Sequence, residues 1–156
     1  MTERVRVDSR VGRAINLLGG ETIIQANVRG ALDVHDLLLN GLPVSALRHL
    51  ISKAKFLEDD EILKKAVGIS PATLRRREAK IAPSRLSTEE SNRLWRFVSV
   101  FGQATQIFGC EVSAEAWMTK AAIGLANRKP IDLLATSSGV AMVKEYLARL
   151  EFNLHT

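Results

Sequence analysis

EILKKAVGISPATLRRR, residues 61–77, decides the fold, because it reads as helix, tight turn, helix. Gly68 supplies the permissive backbone that a sharp turn between two helices requires. Ser70 stands where a helix N-cap belongs, and Pro71 follows at the first helical position, where a missing N–H costs nothing. Leu63, Val67, Ile69 and Leu74 are spaced to bury one small shared core, while Arg75, Arg76 and Arg77 point from the second helix toward solvent. Such a helix pair is the geometry that lays a helix in a DNA major groove. On that reading Ser70, Ala72, Arg75 and Arg76 sit at the groove, and Lys64, Lys65 and Arg77 lie nearer phosphates. Two positions depart from the pattern. Lys64 occupies a place that usually takes a small residue, and Arg77 falls where an apolar one is expected. The alternative is an ordinary αα-hairpin with a basic solvent face.

The distribution of charge points the same way. The net charge of +5 is concentrated in residues 48–96, where twelve basic residues face seven acidic ones; the flanking segments are each neutral. A localised positive field beside the motif suits phosphate contacts, although solvated lysines and arginines give the same count. With 156 residues, nearly half of them apolar, the chain is long enough for a real core and is not a disordered polymer. No apolar run approaches the ~18 residues that span a bilayer. The charged start MTERVRVDSRVGR does not read as a secretory signal, and a single cysteine, Cys110, suits a reducing compartment. A cytoplasmic protein is expected.

Strand signals are nearly absent, since only Arg4–Val7 alternates, so an all-α fold is expected. Helical faces recur at Val11, Ile15 and Leu18, across Thr22–Ala31, at Val34, Leu37 and Leu38, and at Val44, Leu47, Leu50 and Ile51. The acidic run Glu58–Glu61 caps the first helix of the motif. Ser87 and Glu90 form a capping box for a helix that carries Leu94, Phe97, Val98, Phe101 and Phe108. A further helix is expected from near Ser113 through Trp117, Ala121 and Leu125. A turn follows from Pro130 to Leu134, and Ser137 or Ser138 caps a last helix with Val140, Val143, Tyr146, Leu147 and Leu150 on one stripe. The tail from Phe152 on is expected to be mobile. The organisation is a helical region 1–86, with the helix–turn–helix at about 61–80, and a smaller helical domain 87–156.

Catalytic chemistry is missing from the pattern. His35, His49 and His155 lie far apart, none at a metal-ligand spacing, and no glycine-rich loop cradles a phosphate. Neither an enzyme nor a resident cofactor is expected.

The C-terminal third carries a resemblance. Trp117, then Leu125–Gly139 (LANRKPIDLLATSSG), then Val143, Leu147, Arg149, Leu150 and Glu151 resemble the toxin-binding domain of Xre/MbcA/ParS-type antitoxins. That family runs as a tryptophan-ended helix, a link, a P-x-x-L-L-x-T-x-x-G core and a helix ending in R-x-E. Upstream, Gly41–Val44, Gly68–Ser70 and Leu86–Leu94 keep the family's order, so the likeness spans roughly residues 40–151. One departure is Ala126-Asn127-Arg128-Lys129, where the family commonly has a glycine-containing link.

The resemblance implies a type II antitoxin that binds a RES-domain toxin consuming NAD⁺, blocks its active site, dimerises and represses its own operon. It further implies toxin contact through Asn127, Arg128, Lys129, Lys144, Arg149, Glu151, Phe152, Asn153, Leu154 and His155, the last four as a tail able to plug a cleft. A stand-alone helix–turn–helix regulator without a toxin partner is the alternative. An interaction adaptor that has lost DNA contact is a third.

Overall fold

A computed structural model describes residues 7–154, and its central element is the long helix α7, Thr88–Phe108. The capping box forms as expected: Ser87 Oγ accepts from Glu90 N–H at 3.1 Å, and Glu90 accepts from Ser87 N–H at 2.9 Å. Phe97 and Phe101 of α7 are fully buried and stack with Phe56 of the 3-10 turn Lys55–Glu58, with ring centroids 5.6–5.9 Å apart. Around this helix pack α1 (Ser9–Leu17), α3 (Ala31–Asn40), α5 (Asp60–Val67), α8 (Glu111–Met118) and α9 (Ser137–Leu154). One continuous apolar core runs from Ala14 to Leu147. The described residues contain no strand ladder, only two isolated bridges, so the all-α expectation holds. Arg4–Val7, apart from Val7, lies outside the described residues.

The N-terminal region departs from the sequence reading at one place. The helix expected over Thr22–Ala31 stops early: α2 spans Gly20–Ile24 and ends at Gln25, whose φ of 55° is left-handed. The β-branched run Thr22-Ile23-Ile24 followed by Asn27 and Gly30 has little helical drive. Asp33 offers a competing bond instead, its carboxylate accepting from Arg29 N–H at 2.9 Å. Pro43 then opens α4 (Val44–Lys53). Its entry is tied to the approach to α7, because Leu86 N–H donates to Leu42 O at 2.8 Å and the buried Ser91 Oγ accepts from Leu42 N–H at 2.8 Å.

The C-terminal region is more broken than its periodicity suggests. The helix expected through Leu125 ends at Met118. A hairpin replaces it, closed by Ala122 N–H to Arg128 O at 3.1 Å and Asn127 N–H to Ala122 O at 2.9 Å. Ala126 and Asn127 both adopt left-handed conformations, at φ 56° and 59°. The chain thus makes a left-handed turn without glycine, and Asn is among the residues that tolerate that geometry best. Pro130 starts a 3-10 turn to Leu133. The cap of α9 is Thr136 rather than either serine: its Oγ1 accepts from Gly139 N–H at 3.0 Å. Helix α9 continues to Leu154, so Phe152–Leu154, expected to be loose, are helical.

The P-x-x-L-L-x-T-x-x-G pattern now has a physical account. Pro130 fixes the start of the turn, and Ile131 and Leu134 anchor it in the core. Thr136 caps the next helix, and Gly139 lets that helix touch the turn. A Cβ at Gly139 would stand 1.9 Å from the backbone oxygen of Leu133, where neither group can retreat. Gly139→Ala should therefore lower stability by about 2–3 kcal/mol through forced backbone separation. Urea unfolding checks this, and a midpoint equal to that of the parent would exclude the close approach.

Candidate DNA-facing helix and partner-binding surface

The helix–turn–helix forms as its sequence demands. Asp59 caps α5, its Oδ1 accepting from Glu61 N–H at 3.0 Å and Ile62 N–H at 3.1 Å. Gly68 turns the chain at φ 77°. Arg93 of α7 lies over this turn and donates from Nη2 to Lys65 O at 2.7 Å, closing an end of α5 that would otherwise present open carbonyls. Ser70 Oγ accepts from Thr73 N–H at 3.1 Å and opens α6 (Pro71–Glu78). Leu63, Val67, Ile69 and Leu74 are all buried, as expected.

Helix α6 displays Ala72, Arg75, Arg76 and Ala79 on its exposed side. These positions follow the i, i+3, i+4, i+7 spacing of a single helical stripe. Lys64 is exposed on α5. The other nominated residues are already engaged. Ser70 spends its hydroxyl on the cap. Lys65 Nζ pairs with Asp132 Oδ1 of the C-terminal turn at 2.9 Å, which raises the lysine's pKa. Arg77 does not reach solvent with its neighbours. It turns back onto α7 and grips both oxygens of Glu90, at 2.7 and 2.9 Å.

That pairing explains the polar residue at an apolar position. The side chains of Arg77 and Glu90 are only 24% and 21% exposed. A second two-pronged pair fastens the far side of α6, where Arg48 Nε of α4 donates to Glu78 Oε2 at 2.9 Å. The arginine bonds hold both carboxylates below their ordinary range, with burial opposing them. Glu90 was legible only as a cap; its second partner had no local signal.

The C-terminal surface is built on a ladder of rings. Trp117 of α8 packs against Phe108 of α7 at 5.5 Å and Tyr146 of α9 at 6.2 Å. Gly124 rests directly on the Tyr146 ring, since a Cβ there would fall 2.2 Å from Cε2. This contact presses the 122–128 hairpin, with exposed Asn127, Arg128 and Lys129, onto one flank of α9. Ile123 at 90% exposure, Met142 at 45%, Phe152 at 70% and Leu154 at 65% leave apolar side chains in water nearby. Ile123 and Met142 were not singled out from sequence, because their periods read as ordinary helix.

The nominated partner residues divide. Arg149 and Asn153 share the helical side of Met142 and Tyr146, with Phe152 at its edge. Lys144 and Glu151, about 160° away around the ~3.6-residue turn, face α1 instead. His155 lies outside the described residues. No helix is long and apolar enough to cross a membrane, and no group of three or more metal-capable side chains converges among the described residues.

An α-helical chain with a helix–turn–helix followed by a braced turn and a terminal helix defines a class: a DNA-motif module joined to a helical partner-binding domain. Comparison with known proteins makes the class specific. The family model for the antitoxin Xre-like helix–turn–helix domain matches residues 33–99, and that for the antitoxin Xre/MbcA/ParS C-terminal toxin-binding domain matches residues 103–152. The chain belongs to the Xre/MbcA/ParS-type antitoxin family. Among curated proteins it is 39% identical over 92 residues to Antitoxin Xre of Yersinia enterocolitica, covering 58% of this chain and 60% of that protein. It is 29% identical over 119 residues to Antitoxin Xre of Photorhabdus laumondii, covering 76% and 78%. It is also 28% identical over 120 residues to the Prs ADP-ribosylating antitoxin of a Sphingobium species, covering 71% and 73%.

The Arg77–Glu90 clamp carries a pH signature. A carboxylate held below its ordinary value near 4.5 stabilises the fold above that pH and loses the contribution as pH falls through the lowered value. Arg77→Ala should cost about 1–2 kcal/mol at pH 7. The gap between parent and variant should shrink as pH falls through the lowered Glu90 value, because protonation there ends the charge pairing. Urea titrations from pH 3 to 8 test this, and a gap constant across that range would remove the ion pair from the account.

Proposed function

We propose that this chain neutralises a toxin through its C-terminal surface and binds DNA through α6, in the manner of a type II antitoxin. The observation that carries the reading is the set of exposed apolar side chains, Ile123 on the braced, cation-flanked hairpin and Met142, Phe152 and Leu154 along α9. A preshaped apolar surface loses little conformational freedom on association, so it binds well for its area. The division of labour follows the chain, with residues 1–86 carrying the helix–turn–helix and 87–156 the toxin-binding part.

The partner in this reading is a RES-domain toxin that uses NAD⁺, its active site covered by the end of α9. The name of the Sphingobium relative joins an antitoxin to ADP-ribosylation, which supports an NAD⁺-dependent partner. The antitoxin itself performs no chemistry. Two copies act together to repress the operon, since a single helix–turn–helix reads too few base pairs to bind tightly.

Co-expression with the product of the adjacent gene tests neutralisation. Met142→Ala combined with Phe152→Ala removes exposed groups only and should leave the helical content unchanged. It should weaken toxin binding by about 2–4 kcal/mol, the range of central apolar contacts, and restore toxicity. Rescue equal to that of the parent would move the binding surface elsewhere.

For DNA, Arg75→Ala and Arg76→Ala should each weaken binding to the chain's own upstream region by about 1–3 kcal/mol, whereas Lys64→Ala should weaken all sequences alike. Gel-shift titrations at fixed salt read the difference, and unchanged affinity in both arginine variants would rule out α6 as the reading helix.

A further inference from the structure

A cleft of about 270 Å³ opens between α1, α7 and α9, away from both surfaces described above. Helix α1 supplies Arg10 and Arg13, one turn apart, and α9 supplies Lys144. Helix α7 forms the wall with Trp95, Ser99 and Gln103, aligned at i, i+4 and i+8. Arg13 is set in place by a missing side chain: its stem lies across Gly102, its Cγ 3.3 Å from where a Cβ would be.

We propose that this cleft binds a compact, multiply charged oxyanion: phosphate or pyrophosphate, free or at the end of a nucleotide. Among the described residues, none of the three cations has a carboxylate within ion-pair distance, although three other pairs form elsewhere. Asp8 lines the same cleft, but its Oδ1 caps α1 by accepting from Arg10 N–H at 2.8 Å. Glu151 and Asp8 both act on Arg13, at longer range than an ion pair. Partial burial and the like charge of Arg10 both push the Lys144 pKa down. A cation cluster held in this way is relieved by an anion, not by a neutral ligand. Neither Ser99 nor Gln103 makes a side-chain hydrogen bond within the described protein, so a hydroxyl and an amide stand ready for anion oxygens. Two arginines and a lysine around so small a volume match a tetrahedral group carrying more than one charge. A nucleic-acid backbone needs a groove that continues past one phosphate, and this cleft is a pocket.

Isothermal titration of the full chain with inorganic pyrophosphate, in ~0.1 M chloride to screen loose surface pairing, tests the site. Saturable binding with a Kd below ~1 mM is expected, weakened about tenfold or more in an Arg13→Gln, Lys144→Gln double variant of unchanged circular dichroism. Lys144→Gln alone, at the exposed rim, replaces the double variant should that one misfold. ADP competing as well as pyrophosphate assigns the anion to a nucleotide; pyrophosphate alone assigns it to the free ion. Trp95 fluorescence, read in a Trp117→Phe background, should respond in step with the heat. Absence of saturable heat up to ~10 mM, or equal affinity in parent and variant, would overturn the site. So would a loss confined to duplex DNA binding, which would hand these cations to nucleic acid.

Discussion

Glu90 is the residue on which the orientation of α6, the second helix of the helix–turn–helix, depends. One oxygen completes the capping box of α7, and both oxygens hold Arg77 of α6. The start of the central helix and the end of α6 therefore share one carboxylate. Two-pronged arginine bonds fix direction as well as distance. With Arg48 clasping Glu78 on the other side, α6 is held between α4 and α7 with its outer stripe left free. The half-buried setting matters, because an exposed pair would contribute little and constrain less.

Helix α7 also links the two surfaces. Its first turns hold the helix–turn–helix through Glu90 and Arg93, its middle carries the phenylalanine core, and its last turn places Phe108 against Trp117. Lys65 to Asp132 adds a direct bridge from α5 to the turn that opens the toxin-binding motif. An ion pair this exposed adds little stability by itself. Its place is more telling than its strength, since it joins α5 of the helix–turn–helix to the C-terminal turn.

Much of this architecture was legible in local chemistry. Gly68, Ser70-Pro71, the Ser87/Glu90 box and the caps at Asp59 and Gly109 act within four residues, and each stands where its sequence places it. What was not legible depends on residues far apart in the chain. Beyond the end of α8 at Met118, the hairpin with the left-handed Ala126-Asn127 pair seats Gly124 on the ring of Tyr146, more than twenty residues away. Thr136 displaced the two serines as a cap because Gly139 had to approach Leu133 at one register only. Tertiary contacts of this kind override propensity, and periodicity carries no trace of them.

The same distinction corrects the reading of charge. Twelve cations between residues 48 and 96 suggest a broadly basic face, yet several are structural. Arg48, Lys65 and Arg77 are paired with carboxylates, Arg93 closes α5, and Arg85 donates to Gly41 O at 2.8 Å. Arg75 and Arg76 stay exposed on the outer stripe of α6, and Lys64 is exposed on α5. The unpaired positive charge of this segment is thus narrower than the count implies. The neutral flank 1–47 shows the converse: its balance of charges hides Arg10 and Arg13, which the fold places beside Lys144 with no carboxylate among the described residues at ion-pair distance. Net charge sets how strongly a chain attracts anions at a distance, whereas packing decides which cations remain to hold one.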